Sequence, residues 1–315
     1  MKILKGLLKI LVFLGLVLLV WYFGSIAFYK MTIEAEPVPI VKENVEASYL
    51  DEGNKIKPTK KNELLFLLAG TDQNSGDSSG MTRTDTLMLF KVNFSKGTIN
   101  QISIPRDTMV LVDGDYTKIN HASAYGQIPL TMKTIRDWLD IDLDYYLKVN
   151  FESVIALVDL VGGVEIDVPE VVAEGINVAP GLQKLNGKQA LDFVRFRKGY
   201  LTGDIGRVEA QQNFVEQVIS KMLTTKNLLR SPILINILYN QVDTNIPKSM
   251  IISKLFSVSK FSSDKFTKDM IPGYGDYIDG ISYYLYDKVE TIDLRDQYFS
   301  DYRLNAVNYL DNEDY

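Results

Sequence analysis

The longest apolar stretch in the chain opens it: Ile10 to Tyr29 carries no charge. At about 1.5 Å per helical residue it spans roughly 30 Å, the thickness of a bilayer core. Further along, apolar runs are short and bounded by turn residues, as buried strands are. Leu64 to Ala69 ends at Gly70, and Leu87 to Val92 and Ile99 to Ile104 flank a polar turn around Ser95 to Gly97. Tyr145 to Val149, Val164 to Val168 (stopped by Pro169) and Ile281 to Tyr286 read as further strands. Helical spacing marks Ile128 to Trp138, Phe151 to Leu160 closed by Gly162-Gly163, Lys188 to Val194 and Ile205 to Leu223. Leu229 to Tyr239, Met250 to Ser259 and a last segment from Lys288 complete the expected helices. Strands alternating with helices predict an α/β fold with a mixed sheet covered on both faces.

Charge organises the ends. Lys2, Lys5 and Lys9 precede the first apolar run, whereas Glu34 and Glu36 follow Lys30. The positive-inside rule then leaves residues 1–9 in the cytoplasm, residues 10–30 as a transmembrane anchor and the rest outside. A cleaved signal peptide, with Ser25-Ile26-Ala27 as its small-residue site, is the alternative, and it exports the same domain. Residues 31–62 are rich in Glu, Lys and Pro without periodicity, the texture of a stalk. The folded domain is expected over residues 63–315.

Composition narrows the chemistry. The chain has no cysteine and a single histidine, His121, which removes disulfides, thiol nucleophiles and histidine-rich zinc sites. The net charge of −6 argues against coating nucleic acid, so an anionic ligand needs a local cluster of positive charge. The 34 basic residues comprise 25 Lys and only 9 Arg, and five of the nine sit in short polar motifs: Arg83, Arg106, Arg195, Arg197 and Arg207. Arginine is the residue that grips phosphate or carboxylate by two parallel hydrogen bonds. Arg195 and Arg197 would share a side if extended. Structural ion pairing is the competing reading for any one of them.

Acids accompany these arginines. Asp72 follows the first strand and Asp85 opens the second. Two carboxylates at neighbouring strand ends, without Cys or His nearby, suit a hard cation such as Mg²⁺ or Mn²⁺, although Asp at a strand end is equally a turn residue. Val154 to Val161 and Phe214 to Met222 are apolar enough to be either core or the lining of a lipid tunnel.

The ordered motifs make a joint signature. Gly70-Thr71-Asp72, Arg83-Thr84-Asp85-Thr86-Leu87-Met88, Ser103-Ile104-Pro105-Arg106-Asp107-Thr108 and Lys118-Ile119-Asn120-His121-Ala122 come first. Asp159-Leu160-Val161-Gly162-Gly163-Val164, Leu185-Asn186-Gly187-Lys188-Gln189-Ala190-Leu191, Arg195-Phe196-Arg197 and Gly203 to Gln212 follow. Over residues 63 to about 223 the chain resembles the LytR-CpsA-Psr family.

The resemblance implies an α-β-α sandwich with a tunnel for a prenyl chain. It implies a phosphotransferase that moves an anionic glycopolymer (wall teichoic acid, capsular polysaccharide or similar) from a polyprenyl-pyrophosphate carrier to peptidoglycan. Arg83, Arg106, Arg195, Arg197, Arg207 and Gln211 would hold the pyrophosphate, and Asp72 and Asp85 would hold Mg²⁺. Arg83 and Arg106 would act in catalysis with Asp107 as a candidate base, His121 being its rival. Hydrolysis of the same lipid, or a non-catalytic envelope regulator or sensor, are the other readings. Nine cytoplasmic residues cannot form a helix-turn-helix, which counts against DNA binding.

Overall fold

A computed structural model describes residues 62–71, 83–196, 204–223, 239–304 and 310. The expected anchor, the stalk to residue 61, Asp72, Arg197 and nearly all of the expected 229–239 helix lie outside them. Among the described residues no helix is long and apolar enough to cross a membrane.

The first strand, β1 (Glu63–Thr71), pairs antiparallel with β2 (Thr84–Asn93), which pairs antiparallel with β3 (Thr98–Ile104). On its other side β1 pairs in parallel with β6 (Tyr145–Val149). The short β9 (Asp243–Thr244) and β10 (Phe266–Met270) close the two edges, giving the order β10-β3-β2-β1-β6-β9 and a mixed sheet, as expected. Leu67 faces Leu89 and Ala69 faces Leu87, whereas Leu68 faces Met88 and Phe66 faces Phe90. Successive residues therefore point to opposite sides, and both sides are apolar.

Each side is covered by helices. Leu65, Leu67, Leu87, Leu89 and Ile102 pack with Ile128, Ile135 and Leu139 of α1 (Asn120–Leu139). Leu68, Met88 and Phe90 meet Val215 and Ile219 of α5 (Asp204–Met222). α1 begins eight residues before the predicted Ile128 and breaks at Gly126 and Gln127, the latter at φ 56°. Pro129, in the first turn after the break, needs no hydrogen bond there, so the periodicity detected only the second segment.

A second apolar cluster forms a lobe beside the sheet. α2 (Phe151–Leu160) begins at an Asn150–Ser153 capping box and ends before Gly162 and Gly163, both at positive φ. β7 (Val164–Val168) pairs with β8 (Gly181–Leu185) around α3 (Glu170–Ile176), and α4 (Gly187–Arg195) carries its own capping box, Asn186 with Gln189. Val158, Val164, Ile166, Val172, Phe193, Phe214 and Val218 make the lobe's core. Of the two candidate tunnel runs, Val158, Val161 and Val218 belong to this core.

The sequence did not foresee β4 (Met109–Val112), β5 (Asp115–Lys118), α3, β8, β10 or β11 (Gly273–Ile278). Beyond residue 240 the expected Met250–Ser259 helix is instead a short α6 (Lys248–Ser253) running into a 3₁₀ segment, Leu255–Lys260. β12 (Ile281–Tyr286) and α7 (Lys288–Phe299) fall where predicted.

Candidate active site

β1 and β6 run in parallel and end side by side at Thr71 and Val149. The carboxyl ends of parallel strands are where open α/β sheets bind ligands. A cavity of about 720 Å³ opens there, between the sheet and α2, α4 and α5. Its lining divides by chemistry. Leu68, Val149, Val154, Leu191, Val194, Phe196, Phe214 and Val215 are apolar; Thr71, Asp85, Thr86, Asn150, Arg195, Arg207 and Gln211 are polar.

One face of α5 runs through both parts. Arg207, Gln211, Phe214 and Val215 stand at i, i+4, i+7 and i+8, so a single helical stripe passes from cationic to apolar. Arg207 lies in the first turn, where the helix dipole adds to its positive charge, and is only 5% exposed. Gln211 is held in orientation: Thr86 Oγ1 donates to its Oε1 (3.2 Å) and its Nε2 donates to the Val194 carbonyl (3.3 Å).

Arg195 ends α4, so the extended geometry that would align it with Arg197 is absent at its position. Its guanidinium lies 4.3 Å from the centre of the Phe151 ring, which leaves its charge at the cavity over an apolar support.

Asp85 starts a line of alternating charge that leads away from the cavity. Arg106 Nη1 donates to Asp85 Oδ1, and Arg106 Nε lies 3.8 Å from Asp107 Oδ2. Lys118 Nζ lies 3.1 Å from the other Asp107 oxygen. Arg106 thus touches the cavity's lining through Asp85, and Asp107 is held between two cations. Arg83 is exposed at the start of β2. Partial burial, and then the charges of Arg83 and Lys118, hold His121 below the ordinary histidine value, and Asp107 opposes the shift. His121 Nδ1 is 2.7 Å from Thr117 Oγ1.

The fold thus gathers Asp85, Arg195, Arg207 and Gln211 at the cavity, with Arg106 and Asp107 behind Asp85; Arg83 does not line it. Asp72 and Arg197 lie outside the described residues. The oxygens of Asp85, Thr71 and Thr86 at the strand ends have the hard character Mg²⁺ requires. Among the described residues no three carboxylate or imidazole groups cluster around one point.

Sequence reasoning gave no role to Thr71, Thr86, Asn150 or Lys118. Asn150 was detectable only as a helix cap. Lys118 carried no compositional signal in a lysine-rich chain.

The sequence and the fold have named relatives. TagU of Bacillus subtilis (strain 168), a polyisoprenyl-teichoic acid–peptidoglycan teichoic acid transferase, is 31% identical over 291 residues, 91% of this chain and 93% of that protein. The solved structure of B. subtilis TagV superposes with a TM-score of 0.67 at 27% identity, covering 76% of this chain and 96% of that one. TagT bound to LI-WTA gives 0.66 at 25% identity, covering 79% and 94%. Residues 29–299 match the family model, which takes in the sheet, the lobe and every described residue of the cavity, and the chain belongs to the LytR-CpsA-Psr family.

Proposed function

We propose that the protein transfers an anionic glycopolymer of the teichoic acid class from a polyprenyl-pyrophosphate carrier to a hydroxyl of peptidoglycan. The observation that carries this reading is the division of one cavity's lining into an apolar part and a polar part holding Arg195, Arg207 and Gln211. An isoprenoid pyrophosphate has the same division: a long apolar tail and a doubly charged head. The relatives named as teichoic acid transferases, and TagT bound to LI-WTA, support the same substrate class.

In the reaction the acceptor oxygen forms a bond to the phosphorus that bears the polymer. The bond from that phosphorus to the bridging oxygen breaks, and the lipid leaves as its monophosphate. Such transfer depends on positioning and charge neutralisation more than on a covalent nucleophile. Arg207 and Arg195 neutralise the head group, and Arg106 acts through its pair with Asp85. Asp107 accepts the acceptor's proton, and its neighbours Arg106 and Lys118 fix where its carboxylate stands. Asp72 and Asp85 are the residues that would hold Mg²⁺ or Mn²⁺, which when bound would neutralise further pyrophosphate charge.

Residues 10–30 anchor the chain once in the membrane with its N-terminus inside, and residues 31–62 extend the domain into the wall space. An anchor of this kind would tether the chain to the same bilayer that holds a polyprenyl-linked donor.

The test is direct. The full chain in nanodiscs is incubated with labelled lipid-linked polymer, Mg²⁺ and peptidoglycan oligomers. A covalent polymer–peptidoglycan adduct is expected, lost on Arg207→Ala and on Asp107→Asn. Release of free polymer phosphate without adduct would identify a hydrolase instead.

A further inference from the structure

The line of charge that begins at Asp85 ends against an aromatic hairpin. The Asp107 carbonyl accepts from the backbone N–H of Tyr284 (2.9 Å), and Thr108 bridges to Tyr284 beside it. Tyr284 belongs to the β11–β12 hairpin. Its two-residue turn, Asp279-Gly280, has φ 51° and 78°, the primed geometry that matches the twist of tightly paired strands. The inner face is anchored: Tyr284 Oη donates to the Ile271 carbonyl (2.8 Å), and the Tyr286 ring centre lies 5.1 Å from that of Trp138. The hairpin is therefore a fixed platform where it meets Asp107.

Its outer face is of a different character. Strand alternation turns Tyr274, Asp276 and Tyr283 away from the anchored side, and Asp276 stands directly opposite Tyr283. Tyr274 is 59% exposed. Lys118 Nζ lies 5.8 Å from the Tyr283 ring centre and 3.1 Å from Asp107. An exposed tyrosine does nothing for the core. The acids Asp276 and Asp279 oppose insertion beside an anionic bilayer. Flat rings flanked by a carboxylate and an ammonium instead match a pyranose, whose C–H face packs on an aromatic ring while its hydroxyls bond to the charged groups.

We propose that Tyr283 and Tyr274, with Asp276 and Lys118, form the acceptor subsite, holding a sugar ring of the peptidoglycan glycan strand with its reacting hydroxyl toward Asp107. This rests on the transferase reading and adds to it which surface selects the acceptor. The lipid-linked donor enters from the cavity, and the acceptor arrives from the hairpin side. The charged line from Asp85 to Lys118 separates them.

The experiment measures equilibrium binding of uncrosslinked glycan oligomers of alternating N-acetylglucosamine and N-acetylmuramic acid to the full chain in nanodiscs, without donor. Tyr274→Ala and Tyr283→Ala are each expected to weaken binding about three- to tenfold. Tyr283→Phe, which keeps the ring, stays within about twofold. In the transfer assay the same factor appears in the acceptor KM and not in the donor KM. Tyr274 is exposed, so Tyr274→Ala remains informative even if Tyr283→Ala unfolds, which circular dichroism detects.

Folded Tyr→Ala variants that keep both glycan affinity and acceptor KM overturn the subsite while leaving the transferase intact. A wild-type chain that binds glycan through these tyrosines yet forms no adduct overturns the transferase reading and leaves the subsite. Loss of binding to phosphatidylglycerol vesicles, with glycan binding retained, would make the face a membrane contact and also overturn the proposal.

Discussion

Phe196 packs on Gly175 so closely that a Cβ at residue 175 would lie 2.0 Å from the ring's Cε2. Both residues line the cavity, so the ring's position is set by the absence of one methyl group on α3. Gly175→Ala should therefore displace the Phe196 ring and reshape the apolar chamber. Helix propensity alone favours alanine by about 1 kcal/mol. The clash should outweigh it, with a net loss of about 1–3 kcal/mol in urea denaturation. Adding Phe196→Ala should recover most of that loss. A Gly175→Ala protein more stable than the wild type would show that the ring does not hold this position in solution.

Arg207 is the cavity's buried cation, and the geometry predicts that charge alone will not replace it. Arg207→Lys keeps the charge but loses the planar fork. Affinity for a polyprenyl pyrophosphate should fall about a hundredfold in Arg207→Ala, with little recovery in Arg207→Lys. Isothermal titration of the full chain measures both. Equal binding by the lysine variant would mean that the site reads charge without two-point geometry.

His121 reports on the Arg83–Lys118–Asp107 group, and as the chain's one histidine it gives a single, unambiguous pair of ring C–H resonances in an NMR titration. Its midpoint should lie below the ordinary value near 6.5. Arg83→Ala and Lys118→Ala should raise it, and Asp107→Asn should lower it further. The sign carries over to stability. The unfolded chain takes up the proton first as pH falls, so the contribution of neutral His121 is complete above about pH 6.5 and is lost as pH drops toward the folded midpoint. His121→Gln should flatten that part of the pH–stability curve. A midpoint at or above 6.5 in the wild type would contradict the arrangement.

Gln212 ties α5 to the sheet. Its buried Nε2 donates to Ser103 Oγ (2.9 Å) on β3 and to the Asp269 carbonyl (2.8 Å) on β10. Removing it leaves two acceptors without this donor, so Gln212→Ala should cost about 1–3 kcal/mol by chemical denaturation. Because α5 carries Arg207 and Gln211, donor affinity should fall with it. Unchanged stability would mean that water replaces the amide.

Much of the frame was legible locally. Leu64 to Ala69 and Leu87 to Val92 are apolar on both faces because the sheet is covered on both, and Asn150 and Asn186 start helices by the same capping chemistry. Missed elements lacked such marks. Gly181–Leu185 places Gln183 and Lys184 side by side with no alternation, so only its pairing with β7 makes it a strand. Phe266–Met270 is a strand because β3 offers it an edge. The expected Met250–Ser259 helix changes to 3₁₀ after Ser253, since a few apolar residues at helical spacing do not fix which helix forms.

The sequence by itself determined the strong strands and helices, the narrow chemical menu left without cysteine, and which scarce arginines to watch. These are local properties, set by side-chain period, capping and composition. Only the tertiary structure decided that Asp85, Arg195, Arg207 and Gln211 share one cavity whose lining does not include Arg83. It alone brought a hairpin some 170 residues along the chain against Asp107. Contacts of that kind depend on which strands pair and which helix faces meet, and no local pattern encodes that choice.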